Sequence, residues 1–134
     1  MRPEAFAAMA LREPRRGMDR PLSGEVLTAR LPLLLDELRA EEIWDEEGRN
    51  SRTVFKAQGL RVVLVLLGAG RRVRSHKAES PLTLQVIEGQ VRLRAGKEDV
   101  ILGPGAIAEL GAKVPHDLKA TKEAAFLLTI GGRG

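Results

Sequence analysis

The chain has 134 residues, 43% of them apolar and 30% charged, and its 22 Lys+Arg against 18 Asp+Glu leave a net charge of +4, which excludes a disordered protein and allows one modest core. It has no Cys, so disulfides and thiolate metal sites are excluded, and a reducing cytoplasm is the expected setting. No apolar run approaches a membrane span, and the few rings, Phe6, Trp44, Phe55 and Phe126, are too sparse for a base-stacking nucleic-acid platform.

Residues 1–22 carry Pro3, Pro14, Pro21 and many Arg, and read as a flexible basic leader. Their short apolar run at 5–11 is cut off by Arg12 and is not read as a cleaved signal, and Met18 is an alternative start. Residues 23–50 read as a helical arm. Leu31, Leu34, Leu35 and Leu38 stand at i, i+3, i+4 and i+7, which predicts a helix over 31–42 with one apolar stripe, and Pro32 suits its first turn. That stripe is expected to lie on the outside of a barrel or on a partner subunit. Residues 45–50 read as the loop that ends the arm.

From residue 51 to 134 the pattern is strand and turn. Residues 53–56 form a short strand. The Val/Leu run at 61–67 suits a strand covered on both faces. At 82–88 the alternation puts Leu82, Leu84 and Val86 on one face and Thr83, Gln85 and Ile87 on the other. Residues 91–95 alternate so that Arg92 and Arg94 face solvent or a partner. A turn at Gly96 and Lys97 leads into 100–102, and Gly103-Pro104-Gly105 breaks the chain before 106–110, 116–120 and 125–130. Such a series of short strands with regular turns predicts an all-β fold: an antiparallel β-barrel or jelly roll with one N-terminal helix.

The only two histidines, His76 and His116, each stand in a frame of glycines and apolar strands. Gly70 precedes His76 by six positions, and Val86-Ile87-Glu88-Gly89 closes the first frame. Gly105 opens the second, which ends Val114-Pro115-His116, and 15 residues separate Gly89 from Gly105. Over about residues 51–130 this arrangement resembles the two signature motifs of the cupin superfamily. The resemblance implies an RmlC-like jelly-roll barrel, a homodimer, and a metal centre of three His and one Glu on inward-facing positions. The sequence departs from that centre: Ala78 stands at the second His position and Leu82 at the Glu position, while Gly111 and Lys113 replace the Pro and Gly of the second motif.

His76 and His116 are therefore the candidate metal ligands, with Glu79 or Glu109 as candidate third ligand and one divalent transition metal as candidate cofactor. Two neutral imidazoles without a carboxylate hold a divalent ion poorly. The candidate ligand pocket is Ala78, Leu82, Leu84, Val86 and Leu118. Arg71, Arg72 and Arg74 read either as solvated surface or as a basic rim for a carboxylate or phosphate. Ile87 and the stripe from Leu31 to Leu38 offer surface for a dimer. No other catalytic set appears: the serines lack a Gly-x-Ser-x-Gly context, no helix follows Gly68-Ala69-Gly70, and Asp45, Glu46 and Glu47 lack calcium-loop spacing. Three functions stand as expectations. They are a cytoplasmic binder of a small molecule or anion with a degenerate site, a metal-dependent dioxygenase or isomerase, and a structural partner-binding dimer. The wealth of Leu and Arg without Cys has a thermophile-like character, and neither nucleic acid nor membrane is an expected partner.

Overall fold

A computed structural model describes residues 24–75 and 79–132. The leader, His76 and Ala78 lie outside the described residues. In chain order the elements are α1 (Leu31–Ala40), α2 (Glu42–Glu47), β1 (Arg49–Ala57), β2 (Leu60–Leu67), β3 (Arg72–Ser75), β4 (Leu82–Ala95), β5 (Glu98–Leu102), β6 (Ile107–Leu110) and β7 (His116–Gly131).

Every strand pairing is antiparallel, and the two long strands β4 and β7 each serve in both halves of one seven-stranded sheet. The first half of β4 pairs with the second half of β7, flanked by β6 on one side and by β2 and β1 on the other. The second half of β4 pairs with the first half of β7, flanked by β5 and β3. The two halves of this seven-stranded sheet, β1-β2-β7-β4-β6 and β3-β7-β4-β5, enclose one core of Leu, Val and Ala around Phe126. The passage from half to half happens at Gly89, where the β4–β7 register shifts. Gly89 has φ 79°, and a Cβ there would overlap the carbonyl oxygen of Glu123. Only glycine fits that corner on both counts.

The apolar run of β2 is explained by burial on both faces. Val63, Val65 and Leu67 point into the barrel, while Leu64 and Leu66 lie under α1. The stripe of α1 rests on the barrel's outside: Leu34, Leu35 and Leu38 pack on Val54, Leu64, Leu66 and Ala125, with Ile87 and Trp44 at the margin. The apolar surface anticipated for a partner is thus largely covered within the chain.

The arm differs from the expected single helix and loop. Glu41 takes an extended conformation and ends α1, and α2 follows, turning Trp44 onto the α1 cluster. Gly48, at φ 66°, closes α2 by donating its N–H to the Trp44 carbonyl. Glu41 also accepts a hydrogen bond from Asn50 Nδ2 at 2.8 Å and pairs with the buried Arg52, whose guanidinium lies 2.8 Å from Glu37. The segments 82–88 and 91–95, expected as separate strands, are one continuous β4, and 116–120 and 125–130 are one β7. The Arg-rich segment before His76 forms β3, held by four register pairs to β7.

Candidate functional site

The inner face of the barrel is lined by buried apolar side chains. Leu84, Val86, Leu118, Ala120, Phe126 and Leu128 are fully buried there. Between the second half of β4, β5 and β6 a half-open cavity of about 300 Å³ remains. Leu93, Ala95, Val100, Ala108, Leu110 and Val114 line it, with Gly111 and the chain at Glu98 and Glu109 completing the wall. The cause lies in the sequence. At Ala95, Ala108 and Gly111 the wall carries small residues where leucines would close the space.

His116 stands beside this wall. It is an inward, buried residue of β7, in register with Ala95, and its Nδ1 lies 3.1 Å from the carbonyl oxygen of Val114. A carbonyl only accepts, so Nδ1 carries the proton and Nε2 keeps the lone pair. Burial pushes the pKa of His116 down, opposed by the Val114 hydrogen bond and by Asp117. The ring is therefore neutral at pH 7. On the other side of Ala95 the register partner is Glu98, which alternates with the inward Val100 and Leu102. One cross-strand row thus reads His116, Ala95, Glu98, a polar group on either side of a small residue. Sequence reasoning misses Glu98. Its signal is the phase of β5, in which Glu98 shares a face with Val100 and Leu102.

The residues singled out from sequence are distributed as follows. His76 and Ala78 lie outside the described residues. Leu82, at the family's Glu position, is packed in the barrel core, as are Leu84, Val86 and Leu118. These four belong to the core cluster and do not line the cavity. Glu79 is exposed in the bend before β4. Glu109 is exposed and in register with Thr83, alternating with the inward Ala108 and Leu110. Among the described residues, no group of three or more His, Asp or Glu side chains stands together for a metal ion. An apolar Leu82 at one ligand position and an Ala at another do not fit the family's four-ligand centre.

Arg71 is exposed, with its side chain against Gly48. Val73 points into the core, so the period of two turns Arg72 and Arg74 to the outer face of β3. None of the three arginines borders the cavity.

No protein-family model matches the sequence, and no curated protein matches it either. Solved structures do match in fold. A cupin superfamily protein from Desulfitobacterium hafniense superposes with a TM-score of 0.65 at 13% identity, covering 84% of this chain and 95% of its own. TT1209 from Thermus thermophilus gives 0.63 at 27% identity over 75% of this chain and 95% of that one. An RmlC-like cupin family protein with a double-stranded β-helix fold, from Methanocaldococcus jannaschii, gives 0.59 at 14% identity over 63% and 81%. With this topology and the corner at Gly89, the chain is a cupin in fold, an RmlC-like jelly-roll barrel.

Proposed function

We propose that this cupin binds a small, mainly apolar molecule in the cavity between β4, β5 and β6, and does so without a metal centre of the family type. The observation that carries this reading is the cavity itself. Its volume of about 300 Å³ sits at the lower end of the range for small-molecule sites, roughly 300–1,000 Å³. Its wall is apolar, with a neutral imidazole beside it, the inward-phased Glu98 at its edge and no cation among the described lining residues. A neutral ligand is therefore favoured over an anion, because a carboxylate at the wall repels negative charge. A metal-dependent reaction has less support, since two of the four ligand positions are Ala78 and Leu82.

The test is a melting-temperature screen of metal-free protein against small alcohols, lactones and aromatic fragments. Ala108→Phe, which fills the cavity, serves as comparison. A ligand at 100 times its Kd stabilises the folded state by about 2.7 kcal/mol. The expected result is at least one compound that raises the wild-type melting temperature and leaves Ala108→Phe unmoved. Compounds that shift both proteins equally would place binding elsewhere.

A further inference from the structure

The outer face of the β3-β7-β4-β5 half of the sheet carries a charge pattern that the cavity does not explain. One cross-strand row runs Arg72, Lys119, Arg92, and the next runs Arg74, Asp117, Arg94, Asp99. Five cations thus share a face with two carboxylates. Three like charges on adjacent strands repel one another, and a sheet with nothing bound gains nothing from that arrangement. The carboxylates relieve it only in part. Asp99 is taken up by Arg92, at 2.9 and 2.7 Å, and by Arg94 at 3.4 Å. Asp117 stands 3.7 Å from Arg72 Nε, beyond hydrogen-bond reach, and its Oδ1 is buried with no hydrogen-bond partner. Among the described residues Lys119 makes no ion pair. Between Arg72, Arg92, Arg94, Asp117 and Lys119 there is a depression of about 50 Å³, open to solvent, the size of one tetrahedral oxyanion.

We propose that this depression is a binding site for inorganic hydrogen phosphate. Arg72, Lys119, Arg92 and Arg94 supply the charge and N–H donors. The carboxylate of Asp117, partly exposed beside Arg72, accepts the hydrogen bond of a phosphate hydroxyl, which a fully deprotonated oxyanion such as sulfate lacks. A second copy of the chain is a poor occupant, because a two-fold axis would set this basic face against itself. Nucleic acid is also a poor occupant, because none of the residues in these rows is aromatic and no base has a stacking partner there.

The experiment is a titration of the ¹⁵N-labelled protein with sodium phosphate, sodium sulfate and sodium chloride at matched low ionic strength. The backbone amides of Arg72, Arg92 and Lys119 are followed. The expected result is saturable shifts at those amides with phosphate, weaker by about tenfold with sulfate and absent with chloride. Lys119→Gln and Arg72→Gln weaken phosphate binding severalfold, Asp117→Asn erases the preference over sulfate, and Lys56→Gln, an exposed cation on β1, changes nothing. Non-saturable shifts, an equal response to chloride, equal affinity for sulfate, or unchanged binding in both Lys119→Gln and Arg72→Gln would each overturn the proposal. Methyl phosphate, a dianion without a hydroxyl at pH 7.5, is expected to bind as weakly as sulfate, and binding equal to inorganic phosphate would overturn the role of the phosphate hydroxyl.

Discussion

The ring of His116 is fixed in one tautomer by the carbonyl of Val114, and it is neutral because burial outweighs both that hydrogen bond and Asp117. Its pKa lies below the ordinary value of 6.5, so the unfolded chain takes up a proton at a higher pH than the folded one. Stability is then full above the unfolded value. It falls as the pH drops from about 6.5 towards the folded pKa, and levels off once the folded ring is protonated as well. The expected outcome is that His116→Gln flattens this part of the melting-temperature profile, and that the wild-type ring shows the Nδ1–H tautomer in ¹H–¹⁵N spectra at pH 7.5. A second residue carries strain. Lys113 has φ 65°, the left-handed region, at a position where the family motif has Gly. The conformation costs a side chain about 1–2 kcal/mol, and glycine's extra freedom in the unfolded chain returns about 0.5–1 kcal/mol of that. Lys113→Gly is therefore expected to stabilise by about 0.5 kcal/mol, seen as a rise of about 2 °C in melting temperature. His116 and Lys113 are legible in the sequence because each sits at a motif position. Glu98 is not, because an isolated Glu after a turn reveals its face only when the phase of the following strand is known.

The elements are most legible where one face is buried and the other is not. The stripe of α1 and the two-faced run of β2 follow directly from 3.6-residue periodicity and from continuous apolar character, and both are found in place. Legibility fails where an element passes from one half of the sheet to the other. Around Gly89 the register slips and the alternation loses phase, and opposite it the polar residues Thr121, Lys122 and Glu123 interrupt β7, so each long strand reads as two. Strand β3 escapes the sequence because four residues with one inward Val73 give too little pattern to count. The corner predicts its own fragility. In Gly89→Ala a methyl group meets the Glu123 carbonyl while the backbone keeps a positive φ. A loss of about 3 kcal/mol or more is expected, from steric overlap and backbone strain together. Denaturant unfolding measures it directly, and a loss below about 1 kcal/mol would mean that the corner relaxes freely.

At the scale of the whole molecule, the fold is legible because alternation, turns and the two histidine frames all point to the same barrel. The cavity is not. Its wall is assembled from small residues on separate segments, Ala95, Ala108 and Gly111, and smallness at three distant positions has no signature along a chain. The positions that the motifs offer as pocket, Leu82, Leu84, Val86 and Leu118, share the inner face and belong to its buried apolar cluster. Arg72 and Arg74, before His76, lie on the outer surface for the same reason of strand phase. The barrel thus keeps its charged face and its cavity on opposite sides of one sheet. The measurement that tests the central claim most directly is a ¹H–¹⁵N spectrum of the metal-free protein titrated with the compound that stabilises it most. Shifts concentrated at Ala95, Val100, Ala108, Gly111 and Val114, and absent in Ala108→Phe, are the predicted result. Saturable binding that leaves those amides unmoved, or that appears only after a transition metal is added, would contradict it.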